Sequence, residues 1–428
     1  MRAFILALGL AQAGWATGPV TFTRDVAPIL YKRCVSCHRT GEAGPFPLVS
    51  YADSAKRAGL IAQVTASRYM PPWKPVAGHG DFEGARGLTQ SEIDTLGRWA
   101  RGGAREGDPA ELPPLPPAGG RALKDPDLSV RMIQSYAVPA EGPDLYRCFV
   151  IPLGLKSVRY ADAIEFRPGN PKVVHHALLF LDRAGVARKK ESSPGAGYEC
   201  FGAPGFLPGA GLGGWSPGSP SIRMPDGVSA VLDARSDLVL QVHFHPTGKV
   251  ETGQAEVAFR FTVRPPSRRL LDIPLGSRRI DIAAGEKAYK VTDHFTLPVD
   301  VEVIGIIPHA HYLCKEMKGV ARLPDGSVRW LIWIQDWDFN WQEPYRYKIP
   351  LRLPEGTRLE MEFLYDNSEG NVRNPSHPPR RVRWGPDSTD EMAGLHVQAL
   401  AARESDVAEL VQALWGKTMR SVGGGFYR

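Results

Sequence analysis

The stretch GDPAELPPLPPAGG, residues 107–120, does most to limit what this chain can become. Proline fixes φ and offers no backbone N–H, and glycine weakens any regular element, so neither a helix nor a central strand can run through it. The chain is therefore divided, and its two sides differ in pattern. Ahead of the break the signals are helical: Thr23 can cap a segment with Val26, Ile29 and Leu30 on one face, and Ser50 can cap YADSAKRAGLIAQV. Thr89-x-x-Glu92 forms a capping box before Ile93, Leu96 and Trp99. Behind the break, VVHHALLFLD, DLVLQVHFH, VEVIGIIPHAHYL, VRWLIWIQDW and RLEMEFLYD alternate or run apolar over strand lengths between Gly, Pro and Asp turns. That is an all-β pattern of sandwich type. About 300 residues exceed a single sandwich of ~100, and RPPSRR (264–269) reads as a joint between two.

At 428 residues the chain is long enough for several cores, which agrees with this division. Composition, 43% hydrophobic and 23% charged, is that of a globular protein, and the net charge of +6 is not gathered into Lys/Arg blocks, so nucleic acid is not an expected partner. The opening MRAFILALGLAQAGWATG has one cation, Arg2, then an apolar run and small residues at Ala11, Ala13 and Ala16, the layout of a cleavable signal peptide. That run is shorter than the ~20 residues a membrane span needs, and no later one is long enough. The expected location is periplasmic or secreted, where disulfides persist.

Residues 34–38 read CVSCH. Two cysteines three apart can each form a thioether with a haem vinyl group while the next residue, a histidine, reaches the iron, so Cys34 and Cys37 would hold one covalent haem c and His38 would be its proximal ligand. A zinc or redox CxxC is the alternative, although no second CxxC exists to complete a zinc site. Met70 stands ahead of two prolines that force an extended loop, which suits a second axial ligand; His79 is the other candidate. On these residues the first part of the chain, about 20 to 108, resembles class I cytochrome c domains.

Six of the eleven histidines fall in three tight pairs: His175 with His176, His243 with His245, and His309 with His311. Residues i and i+2 of a strand share a face, so His309 and His311 can point into one site, as can His243 and His245. Imidazole clusters suit copper or zinc. The segments KVVHHALLF, DLVLQVHFHPTG, PHAHYLCKEMKG and DSTDEMAGLHV, in this order, resemble those of the copper type II, ascorbate-dependent monooxygenases, the family of peptidylglycine α-hydroxylating and dopamine β-monooxygenases. The likeness spans about 140 to 428.

The resemblance implies two coppers, one held by His175, His176 and His243, the other by His309, His311 and Met392. A soft thioether favours Cu(I), the state that meets dioxygen. It implies that Gln241 lies near the first copper and that Cys148 pairs with Cys200. Cys314 is left over, either a thiol near copper or a buried inert residue, and His245 is an outer support, an alternative ligand or structural. The family's arginine, asparagine and tyrosine that anchor a peptide carboxylate are replaced by Ile307, Gly394 and His396, which points away from glycine-extended peptides and towards a small, rather apolar organic substrate.

The sequence thus leads to a small all-α cytochrome c domain followed by two all-β, jelly-roll-like sandwich domains. The expected boundaries are 1–17 signal peptide, 18–108 cytochrome, 109–128 linker, 129–266 first sandwich and 267–428 second sandwich. The expected activity is a monooxygenase that hydroxylates a C–H bond with dioxygen, with His309, His311, Met392 and Gln241 in its centre and electrons supplied through the haem. The external donor would be ascorbate, a quinol-linked system or another cytochrome. A non-enzymatic electron-transfer or copper-binding protein on the same scaffold is the alternative.

Overall fold

The computed structural model describes residues 18–117, 123–200, 204–206, 210–219, 221–385 and 387–423. The signal-peptide expectation at 1–17 lies outside them.

The expected small all-α domain does not form. The chain is mainly β, 35% strand against 16% helix, with sandwich-like sheets and no sizeable helical unit at the front. The α-helices between 18 and 108 are Ala27–Arg33, Tyr51–Ala55, Ala58–Ala66 and Gln90–Arg101, of 7, 5, 9 and 12 residues. Local signals still act: the Ser50 side chain accepts from the Asp53 N–H, and Thr89 and Glu92 close both halves of their capping box. Thr23 is not a cap; its hydroxyl donates to the Glu106 carbonyl. Prolines at 45, 47, 71, 72 and 75 leave little chain for longer helices, and helices this short depend on tertiary contacts. Phe22, Leu30, Leu96 and Trp99 supply those contacts in a small core.

Residues after Met70 leave this core and run along the second sandwich. Val76 N–H donates to the Trp333 carbonyl (2.8 Å), Glu83 N–H to Arg346 (2.8 Å), and Lys348 N–H to Asp81 (2.9 Å). Phe82 is buried inside that sandwich's core. The N-terminal region is therefore seated on the β region by its own backbone, whereas the sequence left it tethered by the linker alone.

The first sandwich stacks two sheets. One orders Leu128–Arg131, Glu256–Thr262, Arg159–Arg167 and Ile222–Arg223, with Ala230–Leu232 also on Arg159–Arg167. The other orders Tyr198–Glu199, Leu145–Pro152, Asp237–Phe244, Val174–Asp182 and Ala210–Trp215. Strand Asp237–Phe244 is buried at every position. Leu238, Leu240, Val242 and Phe244 face the sandwich core, while Val239 packs beside Cys148 and Cys200 on the other face. Gln241 and His243 follow Val239 at period two on that second face. Cys148 and Cys200 are joined, as the resemblance implies, across a separation of 52 residues; closing a loop of that size contributes on the order of 4 kcal/mol in the chain-entropy picture.

The second sandwich pairs Leu270–Gly276, Ala393–Ala401, Val301–Ala310 and Tyr345–Leu353 in one sheet, and Tyr289–Thr296, Arg358–Tyr365, Cys314–Arg322 and Val328–Ile334 in the other. It is not all-β. A 17-residue helix, Val407–Gly423, closes one end, and Val407 and Leu410 enter the core with Val411 and Leu414 against it. Among the described residues no helix is long and apolar enough to cross a membrane.

Candidate metal centres

Helix Ala27–Arg33 stops at Cys34, and the chain turns so that the Cys37 and His38 N–H groups both donate to the Cys34 carbonyl, at 3.1 and 2.9 Å. Cys34, Cys37, His38 and Met70 line one cavity of about 500 Å³, floored by Leu30, Leu48 and Ile61. This volume lies in the ~300–1,000 Å³ range of cofactor pockets. His38 Nδ1 is 3.0 Å from the Phe46 carbonyl, so as a donor there it leaves the Nε2 lone pair for a metal. Burial pushes the Cys34 thiol up to about 12, which makes it a poor redox nucleophile. His79 does not join the cavity; its ring lies 4.6 Å from both Trp330 and Trp333. The residues present therefore fit a covalent haem, with Met70 on its wall.

The β region also contributes to the lining: Val174, His175 and His245 of the first sandwich and Trp341 of the second. In a regular strand His175 and His176 would face opposite ways. Here His243 pairs with His176 and Phe244 with Val174, so His175 is the extra residue of a bulge, and the bulge turns both imidazoles towards His243. The ligand nitrogens of His175, His176 and His243 lie within 4.8 Å of one another, the only such group of three His, Cys, Asp or Glu residues among those described. His176 Nδ1 is 3.3 Å from Nδ1 of both His175 and His243. Imidazoles bound to one ion at ~2.0–2.1 Å in tetrahedral geometry stand roughly 3.3–3.4 Å apart. Burial, with the neighbouring imidazole His243 adding to it, drives His175 down to about 3, and His176 falls well below its ordinary value for the same reasons. Neutral rings with converging lone pairs fit a metal.

Asp144 accepts from His243 Nε2 at 2.7 Å and from His245 Nδ1 at 2.7 Å. Burial would raise this carboxyl, but the two histidine hydrogen bonds outweigh it and hold Asp144 at about 2. Tyr146 stacks on His243 with centroids 4.2 Å apart. Gln241, buried two residues before His243, has its Nε2 3.5 Å from the carbonyl and sulfur of Cys200.

His309 lies near the end of strand Val301–Ala310 and His311 directly after it, with ring centroids 5.3 Å apart. His309 Nδ1 donates to Gln342 Oε1 (2.7 Å) and His311 Nδ1 to the Asp390 carbonyl (3.1 Å). Burial lowers both rings, His311 to about 4. His309 pairs with Gly394 and Ala310 with Ala393, so the register brings the backbone of Met392 beside His311. Glu391 fixes that junction, accepting from the N–H of His311 (3.0 Å), Met392 (3.0 Å) and Leu313 (2.6 Å). The His175 ring lies 5.9 Å from that of Trp341, and the next residue, Gln342, holds His309, so segment 341–342 connects the two histidine groups. Ile307 lines a separate cavity of about 140 Å³ with Arg86, Tyr345 and Gln398. His396 is held by Asp272 at 2.7 Å, and Cys314 is buried, its thiol pushed well up by burial.

Sequence reasoning missed Asp144, Glu391 and Gln342. An acidic residue in DEMAGLHV was visible, but nothing in GPDLY or FNWQEP marks Asp144 or Gln342 as partners of histidines far along the chain.

No family model matches this chain, and no curated protein does. Among solved structures, the infectious bursal disease virus VP2 subviral particle has a TM-score of 0.20 at 11% identity, covering 64% of this chain and 71% of that one. The Gx strain of the same virus gives 0.18 at 10%, covering 64% and 72%. Likeness at that level says nothing of this chain's fold or chemistry.

Proposed function

We propose that this chain is a haem- and copper-dependent oxidoreductase, a monooxygenase that hydroxylates a C–H bond of a small, rather apolar substrate, with electrons supplied on the CVSCH side. One observation supports the reading most: the cavity lined by Cys34, Cys37, His38 and Met70 is also lined by His175, a member of the three-histidine cluster. A haem bound there would handle electrons singly, and copper at the two histidine groups would store one each and activate dioxygen.

The protein's own part is orientation and exclusion of water. Phe46 and Asp144 set the tautomers of His38 and His243, and Gln342 and the Asp390 carbonyl those of His309 and His311. The bulge at His175 brings two consecutive imidazoles to one side. Burial keeps the rings neutral, the form that can ligate.

Protein matured with haem and copper tests this. The expected result is haem that stays with the chain through a denaturing gel, with two coppers per chain. Met392→Ala should weaken one copper while the three-histidine site stays filled. Haem extracted by acid acetone, or equal loss of both coppers in that variant, would contradict the reading.

A further inference from the structure

His245 has no place in either group of metal ligands, yet the fold gives it two connections. Its ring lines the cavity behind CVSCH. Its Nδ1 is hydrogen-bonded to Oδ1 of Asp144, whose other oxygen takes His243 Nε2, both at 2.7 Å. We propose that Asp144 and His245 form a clasp that fixes His243 as a ligand of the three-histidine site and ties that site to the wall of the neighbouring cavity.

A neutral imidazole has one N–H. When the carboxylate accepts it at Nε2, the lone pair is left on Nδ1, the atom 3.3 Å from His176 Nδ1. A carboxylate with one oxygen engaged could still rotate about its side-chain bond. The second bond, from His245, removes that freedom. Asp144 directly precedes strand Leu145–Pro152, where Tyr146 pairs with His243 in register and stacks on its ring. His243 is thus held by hydrogen bond at one nitrogen and by stacking on one face. Strand Asp237–Phe244 ends one residue before His245, so this side chain, 65% exposed, is free to turn back to Asp144. Neither residue touches the converging nitrogens, so both are positioning residues.

The inference rests on the reading of His175, His176 and His243 as metal ligands, and the test separates the two claims. Cu(II) affinity is measured by chelator competition in the full haem-loaded chain, with the copper electron paramagnetic resonance spectrum recorded alongside. Asp144→Ala should weaken binding at the three-histidine site by roughly 10–100-fold, the usual effect of losing such an outer partner, and change the spectrum. Asp144→Asn, which keeps an acceptor without the charge, should fall between. His245→Asn keeps a donor for Oδ1 and should stay near wild type, while His245→Ala should weaken binding and shift the haem absorption band. The His309/His311 site should be unaffected in all four. If the wild type bound no Cu(II) at His175, His176 and His243, the ligand reading would fall and the clasp with it. If the wild type bound it and Asp144→Ala did so equally well with an unchanged spectrum, the clasp alone would fall.

Discussion

Glu391→Ala should lower stability by about 3–5 kcal/mol and empty the His309/His311 site. The carboxyl group is fully buried, and its oxygens accept the N–H groups of His311, Leu313 and Met392. Each buried donor left unpaired costs ~1–3 kcal/mol, and the deleted side chain also leaves a void. Burial pushes this carboxyl up to about 8, against the pull of backbone hydrogen bonds from His311, Leu313, Met392 and Cys314. Glu391→Gln should rescue in part: its amide oxygen can still accept the N–H groups of His311 and Met392, but its NH₂ would face the Leu313 N–H, which needs an acceptor. Denaturant unfolding read beside metal titration checks this. A glutamine variant with wild-type stability and an intact second site would contradict it.

Arg86→Met should be comparably damaging, about 3–5 kcal/mol, the usual result of leaving one partner of a buried ion pair alone. Arg86 Nη2 is 3.0 Å from both oxygens of Glu343, and the side chains are only 11% and 10% exposed. The same nitrogen donates to the Pro72 carbonyl, and the guanidinium lies 5.3 Å over Trp73, so one residue ties the chain after Met70 to the second sandwich. Burial raises the Glu343 carboxyl in spite of Arg86, which shows how poorly that charge would tolerate losing its partner. Protease should then cut within 73–86. Combining Arg86→Met with Glu343→Leu should recover most of the loss, since no lone charge remains. Wild-type stability in the single variant, or no recovery in the double, would contradict the role given to this pair.

Much of this was legible as local pattern. The Thr89/Glu92 box and the Ser50 cap are written in single residues and their spacing, and the alternating runs gave the strands. What was not legible is how little helix those caps would yield once prolines and the arm at 73–86 took their share of the front. The terminal helix departs from the all-β expectation for 267–428, although Val407, Leu410, Val411 and Leu414 repeat at helical spacing. His309 and His311 follow the period-two rule. His175 and His176 break it, and only the bulge, a property of pairing with Phe244, explains how both converge. Asp144 is 99 residues from His243, a separation that no window along the sequence reaches.

His175 belongs both to the lining of the cavity behind CVSCH and to the three-histidine cluster, and in the proposed function electrons would cross there inside one molecule. Stopped-flow tests it most directly: the haem is reduced selectively in full-length protein loaded with Cu(II), oxygen is excluded, and haem reoxidation is followed against the loss of the Cu(II) signal. The expected result is first-order reoxidation at a rate independent of protein concentration, with copper reduced in step. Haem that stays reduced beside oxidised copper, or a rate that rises with protein concentration, would contradict it.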